Sequence, residues 1–141
     1  MKNCKITGAG LYGGLAVMTI ILASGNVFAQ VAAPGFQSQP MLVATISDVA
    51  DKEVAIIKVA IQPGGASPLH THPGDCYGAI LQGNVELVVE GETPKQFAEG
   101  QAWHNPRGPA HYFRNSGDKA VLMTNILVVD KGKPRTETVK K

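Results

Sequence analysis

The stretch Gly64-Gly65-Ala66-Ser67-Pro68-Leu69-His70-Thr71-His72-Pro73-Gly74-Asp75-Cys76 ends a glycine-rich turn with two histidines one residue apart. Side chains at i and i+2 of a strand leave the same face, so both imidazoles can point at one spot. Metal–nitrogen bonds of about 2.0–2.1 Å need that kind of convergence, and imidazole serves Zn, Cu, Fe and Ni alike. Taken alone, the pair is equally compatible with two surface histidines beside a loop.

Working outward, the apolar pattern has a period of two rather than 3.6. Leu42 to Ile46 reads as a short strand, and the β-branched run Val54 to Ile61 as a strand covered on both faces, ended by Gln62-Pro63-Gly64-Gly65. Tyr77 to Leu81 and Val85 to Val89 flank Gln82-Gly83-Asn84, a hairpin signal. Short segments follow at Gln96 to Ala98, Gln101 to His104 and Ala110 to Arg114, and Ala120 to Val129 is a last long strand. With turn residues between them and no helical period after residue 30, these segments predict an all-β sandwich or closed barrel.

At this point a resemblance becomes specific. Gly64, His70, His72 and Gly83 match the first cupin motif, G-x5-H-x-H-x3-E-x6-G, in type and spacing, with Cys76 standing where the family has glutamate. Gly100, Pro106, Gly108, His111 and Asn115 match the second, G-x5-P-x-G-x2-H-x3-N, without departure. The chain thus resembles the cupin superfamily over roughly residues 42–129. The resemblance implies a double-stranded β-helix, or jelly-roll barrel, with one divalent transition metal (Fe, Zn, Cu, Ni or Mn) held by His70, His72 and His111. It supplies no reaction, since cupins include dioxygenases, decarboxylases, isomerases and sensors.

Cys76 has two readings. As a thiolate it would be a fourth ligand, turning the site from Mn towards softer ions; as a small apolar residue it would leave three histidines with open positions. Thiol dioxygenases are similar in carrying cysteine here, and some cross-link it to a tyrosine. Tyr77 and Tyr112 each lie directly beside a motif residue, so alternation turns them away from the cavity. Asp75 is a spare oxygen ligand that alternation aims elsewhere. His104 reads as solvent-facing or hydrogen-bonded, with a substrate contact as the alternative. Arg107 and Arg114 read as surface charges or, if either faces the cavity, as bidentate anchors for an anionic substrate. Phe97, Trp103 and Phe113 read as core.

The first 29 residues differ from the rest. Lys2 and Lys5 precede an apolar run over Leu15 to Ala23, then Ser24-Gly25-Asn26 and Val27-Phe28-Ala29, the order of a secretory signal peptide cleaved after Ala29. The apolar run is shorter than the roughly 20 residues of a membrane span. Export to the periplasm or medium is expected, with no stable span after cleavage. Losing Lys2 and Lys5 reduces thirteen basic residues to eleven, level with the eleven acidic ones. Cys4 leaves with the leader, so Cys76 has no intramolecular disulfide partner.

Residues 30–40 suit an extended arm or linker, 41–130 the barrel, and 131–141 a solvated, flexible basic tail. Without basic residues clustered on a face, nucleic acid is excluded as a partner. The function expected is a metal-dependent enzyme, dioxygenase-like or decarboxylase/isomerase-like, acting on a small polar or carboxylate molecule. A non-catalytic binding or sensing protein is the alternative, and either reading allows a homodimer.

Overall fold

Residues 33–140 are described by a computed structural model of the chain. Alternation of buried and more exposed positions is clear over Gly74–Gln82 and Val121–Asp130, as it must be where a pleated ribbon buries one face. The strands are β1 (Phe36–Ile46), β2 (Val49–Ile61), β3 (His70–Thr71), β4 (Gly74–Gln82), β5 (Asn84–Val89), β6 (Lys95–Ala98), β7 (Ala102–Asn105), β8 (His111–Arg114), β9 (Val121–Asp130) and β10 (Glu137–Thr138). They form two antiparallel five-stranded sheets, β1-β2-β9-β4-β7 and β10-β3-β8-β5-β6. Among the described residues no helix is long and apolar enough to cross a membrane.

Inward side chains of both sheets merge into one core. Val59, Ile61, Ile80, Trp103 and Met123 of the first sheet pack with Val85, Leu87 and Phe113 of the second. This is the expected jelly roll, with the aromatic residues in the core as the sequence suggested.

Four expectations need correction. The hairpin at Gly83 does not form: β4 pairs with β7 and β9, whereas β5 pairs with β6 and β8. Gly83 is instead a one-residue corner carrying the chain from one sheet to the other. Its φ of 80° is open to glycine, and an added Cβ would lie 2.8 Å from the Ala120 carbonyl oxygen.

The arm expected over 30–40 is already strand from Phe36, paired with Ile61. Pro40 is tolerated because β1 is an edge strand and the register shifts beside it. In β2 only one face is fully covered, its outward positions being partly exposed because β-branched residues suit any pleated surface. Finally, residues 131–140 are no free tail. Glu137–Thr138 pair with β3, and the Lys131 and Val139 amides donate to the carbonyls of Asp51 and Leu69, each at 2.9 Å. The leader lies outside the described residues.

Candidate metal centre

His70 and His111 face each other in register on β3 and β8, both on the inward face, and His72 follows as the chain leaves β3. The ligand nitrogens of these three buried residues lie within 4.8 Å of one another. Two nitrogens about 2.1 Å from one ion at the tetrahedral angle are about 3.4 Å apart, so even the widest pair needs to close by only about 1.4 Å.

Each ring is held from behind. Nδ1 of His70 lies 2.7 Å from the Pro68 carbonyl oxygen, that of His111 3.0 Å from Pro109 and that of His72 2.7 Å from Arg135. A carbonyl only accepts, so Nδ1 carries the proton in all three rings and the lone pair is left on Nε2. For His72 and His111 that Nε2 is buried without a hydrogen-bond partner. Buried polar atoms are rarely left unpaired, and a ring oriented through its other nitrogen is the usual arrangement behind a metal-bound histidine. The residues present therefore fit a metal.

Electrostatics point the same way. Burial, reinforced by the neighbouring imidazoles, pushes His70 down to about 3; burial lowers His72 to about 4 and also lowers His111. At neutral pH the triad is uncharged, the form that ligates. In the unfolded chain histidine titrates near 6.5. Between that value and about 4 the unfolded state takes up protons that the folded one refuses, so stability falls as pH falls. Chemical denaturation of metal-free protein should show a loss of about 2 kcal/mol each from His70 and His72 between about pH 7 and 5, with His111 adding in the same direction. Equal stabilities at the two pH values would contradict the buried, neutral triad.

Cys76 is wholly buried, facing inward on β4 among Ala55, Leu127 and Val129. Its sulfur is not in the group formed by the three histidines. Burial pushes the thiol up to about 12, so it stays protonated at neutral pH.

The other candidates lie on the outside. Asp75 accepts from the Arg107 amide at 3.0 Å and from the Tyr77 hydroxyl at 3.3 Å. His104 stacks on exposed Tyr77 with ring centres 4.6 Å apart. The Arg107 guanidinium makes two bonds to Asp130, at 3.0 and 2.6 Å, and Arg114 pairs with Glu86. Neither arginine lines the cavity.

That cavity, of about 470 Å³ including its mouth, opens beside His70 and His72. Its wall is mainly apolar, with Ile57, Met123 and Leu127 opposite the histidines, and Asn125 set among them. Asn125 is 7% exposed and its Oδ1 is buried and unpartnered. The sequence reading passed over Asn125, though it breaks the inward series Val121, Met123, Leu127, Val129 and could have been found there.

Residues 57–129 match the Cupin domain family. No curated protein matches the chain. Among solved structures, a cupin-like protein from Thermotoga maritima is 17% identical with a TM-score of 0.62, covering 80% of this chain and 85% of its own. The polyketide cyclase RemF of Streptomyces resistomycificus is 19% identical with a TM-score of 0.61, over 80% and 77%. Oxalate decarboxylase of Bacillus subtilis is 19% identical with a TM-score of 0.61 over 78% of this chain, which spans only 29% of that longer protein. At these identities the likeness is one of fold. Together with the family match over 57–129, it establishes that this chain is a member of the cupin superfamily, a single barrel with a histidine triad at its centre.

Proposed function

We propose that the protein binds one divalent transition metal through Nε2 of His70, His72 and His111 and uses it on a small molecule held in the adjoining cavity. The observation that carries this reading is the triad's arrangement: three Nδ1 atoms tied to carbonyls, with the opposite nitrogens turned towards one another in a neutral, buried cluster. The oxalate decarboxylase it resembles in fold has Mn(II) centres. A set of three imidazoles is equally suited to Fe, Zn, Cu or Ni.

When bound, such an ion supplies a Lewis acid with positions left open for a ligand. The chain supplies the rest. Among the described residues no arginine or lysine lines the cavity, so a carboxylate there would be neutralised by an ion at the triad, while Ile57, Met123 and Leu127 cover an apolar body and exclude water. Asn125 offers an amide to a polar group of that molecule. The substrate class that fits is a small carboxylate or other oxygen-donor molecule with some apolar surface.

Among the described residues, the titratable side chains of the cavity wall are His70 and His72. Proton transfer by a separate carboxylate or amine therefore has no residue to perform it, which favours reactions driven at the metal. The same observation supports the second reading, a barrel that binds its ligand without turnover, and product analysis with the loaded protein separates the two.

Elemental analysis of protein purified from its native compartment should give one ion per chain. Cys76→Ala should keep that ion and cost about 1 kcal/mol of stability for the small void left behind. Loss of all metal from Cys76→Ala with the fold intact would make the sulfur a ligand and the four-ligand site the right one.

A further inference from the structure

The three histidines are not held alike. His70 and His111 are each oriented by a carbonyl two residues earlier in the chain, Pro68 and Pro109. Those two rings are set by their own local chain. His72 instead uses the carbonyl of Arg135, sixty-three residues further on. Nothing near His72 in sequence does this for it.

The segment that brings Arg135 there is fixed at several points. The Lys131 amide donates to Asp51 at one end, and Glu137–Thr138 and the Val139 amide pair alongside β3 at the other. Between them, Arg135 Nε lies 2.7 Å from Glu53 Oε1. Glu53 is a charged residue at an inward position of β2, only 9% exposed. A carboxylate so placed is costly without a cation beside it. Thr136, next in the chain, lines the cavity and has its hydroxyl 3.4 Å from His72 Nδ1.

We infer that residues 131–140 are a strap belonging to the metal centre, in which the Arg135 carbonyl sets the tautomer and aim of His72 and the Glu53–Arg135 ion pair latches the strap to the barrel. The inference rests on the triad being a metal site. It makes Glu53 and Arg135 positioning residues: neither touches the metal, and both act through His72. Two ligands are thus ready as soon as the barrel folds, and the third becomes ready when the strap docks.

The test uses the full-length mature chain carrying Arg135→Gln, with Glu53→Gln as the second variant because it keeps the volume of the buried side chain. In metal-free protein, nitrogen-15 NMR of the imidazoles reads each tautomer separately. Wild type should show all three rings protonated on Nδ1. In Arg135→Gln, His72 should become a mixture of tautomers while His70 and His111 stay unchanged, a selective effect that general loosening of the fold would not produce. Cobalt(II) affinity, measured by titration, should fall about 10-fold or more, as for other partners that orient metal-bound histidines. Arg135→Lys, which restores a cation to Glu53, should recover most of the loss.

Unchanged His72 tautomer and unchanged cobalt affinity in both variants would overturn the strap's role. So would an equal change in all three rings. If wild type takes up no cobalt while His72 still loses its tautomer on unlatching, the metal reading fails and the positioning of His72 by the strap stands. Should Arg135→Gln not fold, Glu53→Gln decides by the same criteria.

Discussion

Replacing His111 by alanine should remove stoichiometric metal from the protein, with affinity falling at least about 100-fold. The side chain is 2% exposed, lies opposite His70 in register and holds its Nε2 buried without a partner. Two imidazoles alone leave the ion short of the three protein ligands typical of an open site. Fold loss should not be the cause. Removing the ring leaves a void but also removes an unsatisfied polar atom, and these effects oppose each other. Competition against a chelator, with far-UV circular dichroism on the same sample, provides the measurement. His104→Ala is the matched control, since that ring stacks on Tyr77 outside and should leave the metal in place. Full retention of the ion in a folded His111→Ala protein would remove the central support for the site.

Gly74→Ala should be the most damaging of the small substitutions. Gly74 opens β4 opposite Val129, and an added Cβ would meet the Val129 Cα at 2.6 Å and the Val128 carbonyl oxygen nearer still. Both obstacles are backbone, so relief requires β4 to move off β9. Overpacking of this kind costs about 3 kcal/mol, corresponding to a fall of about 10 °C in Tm for a domain of this size. Gly100→Ala makes the comparison informative. There the space is open and only the φ of 81° opposes a side chain, at about 1 kcal/mol. A loss below 1 kcal/mol for Gly74→Ala in thermal or urea denaturation would show that β4 and β9 are not locked together at that point.

The legible parts of this molecule are those where residue type and spacing carry the information. His70, His72 and His111 could be picked out because their distances from the turn glycines and prolines match the two cupin motifs; the i, i+2 pair alone is equally compatible with surface histidines. The outward aim of Asp75 and Tyr77 followed from alternation alone.

What escaped was of two kinds. The link Gln82-Gly83-Asn84 looks the same whether the next strand pairs with the last or crosses to the other sheet. Only pairing with distant strands decides it, β9 and β7 for β4 and β8 and β6 for β5. The strap escaped because its working atom is a main-chain carbonyl, which has no signature in the sequence, and because Lys131, Lys133 and Arg135 resemble a solvated terminus. A hint was present in Glu53, a charge in phase with inward Ala55 and Val59, which called for a buried cation somewhere in the chain.

The histidines also have a common side. His70 and His111 belong to β3 and β8 of one sheet, with His72 at the exit of β3. The facing wall, Ile57, Met123, Asn125 and Leu127, belongs to β2 and β9 of the other. Cys76 sits on that same sheet, on β4, where the cupin pattern would place a carboxylate. The barrel therefore works like a socket with a replaceable back plate. If the cavity holds the proposed small molecule, substitutions along β9 would reshape the chamber and change which guest is admitted. The imidazoles, carried by the other sheet and tied to main-chain carbonyls away from β9, would keep their places.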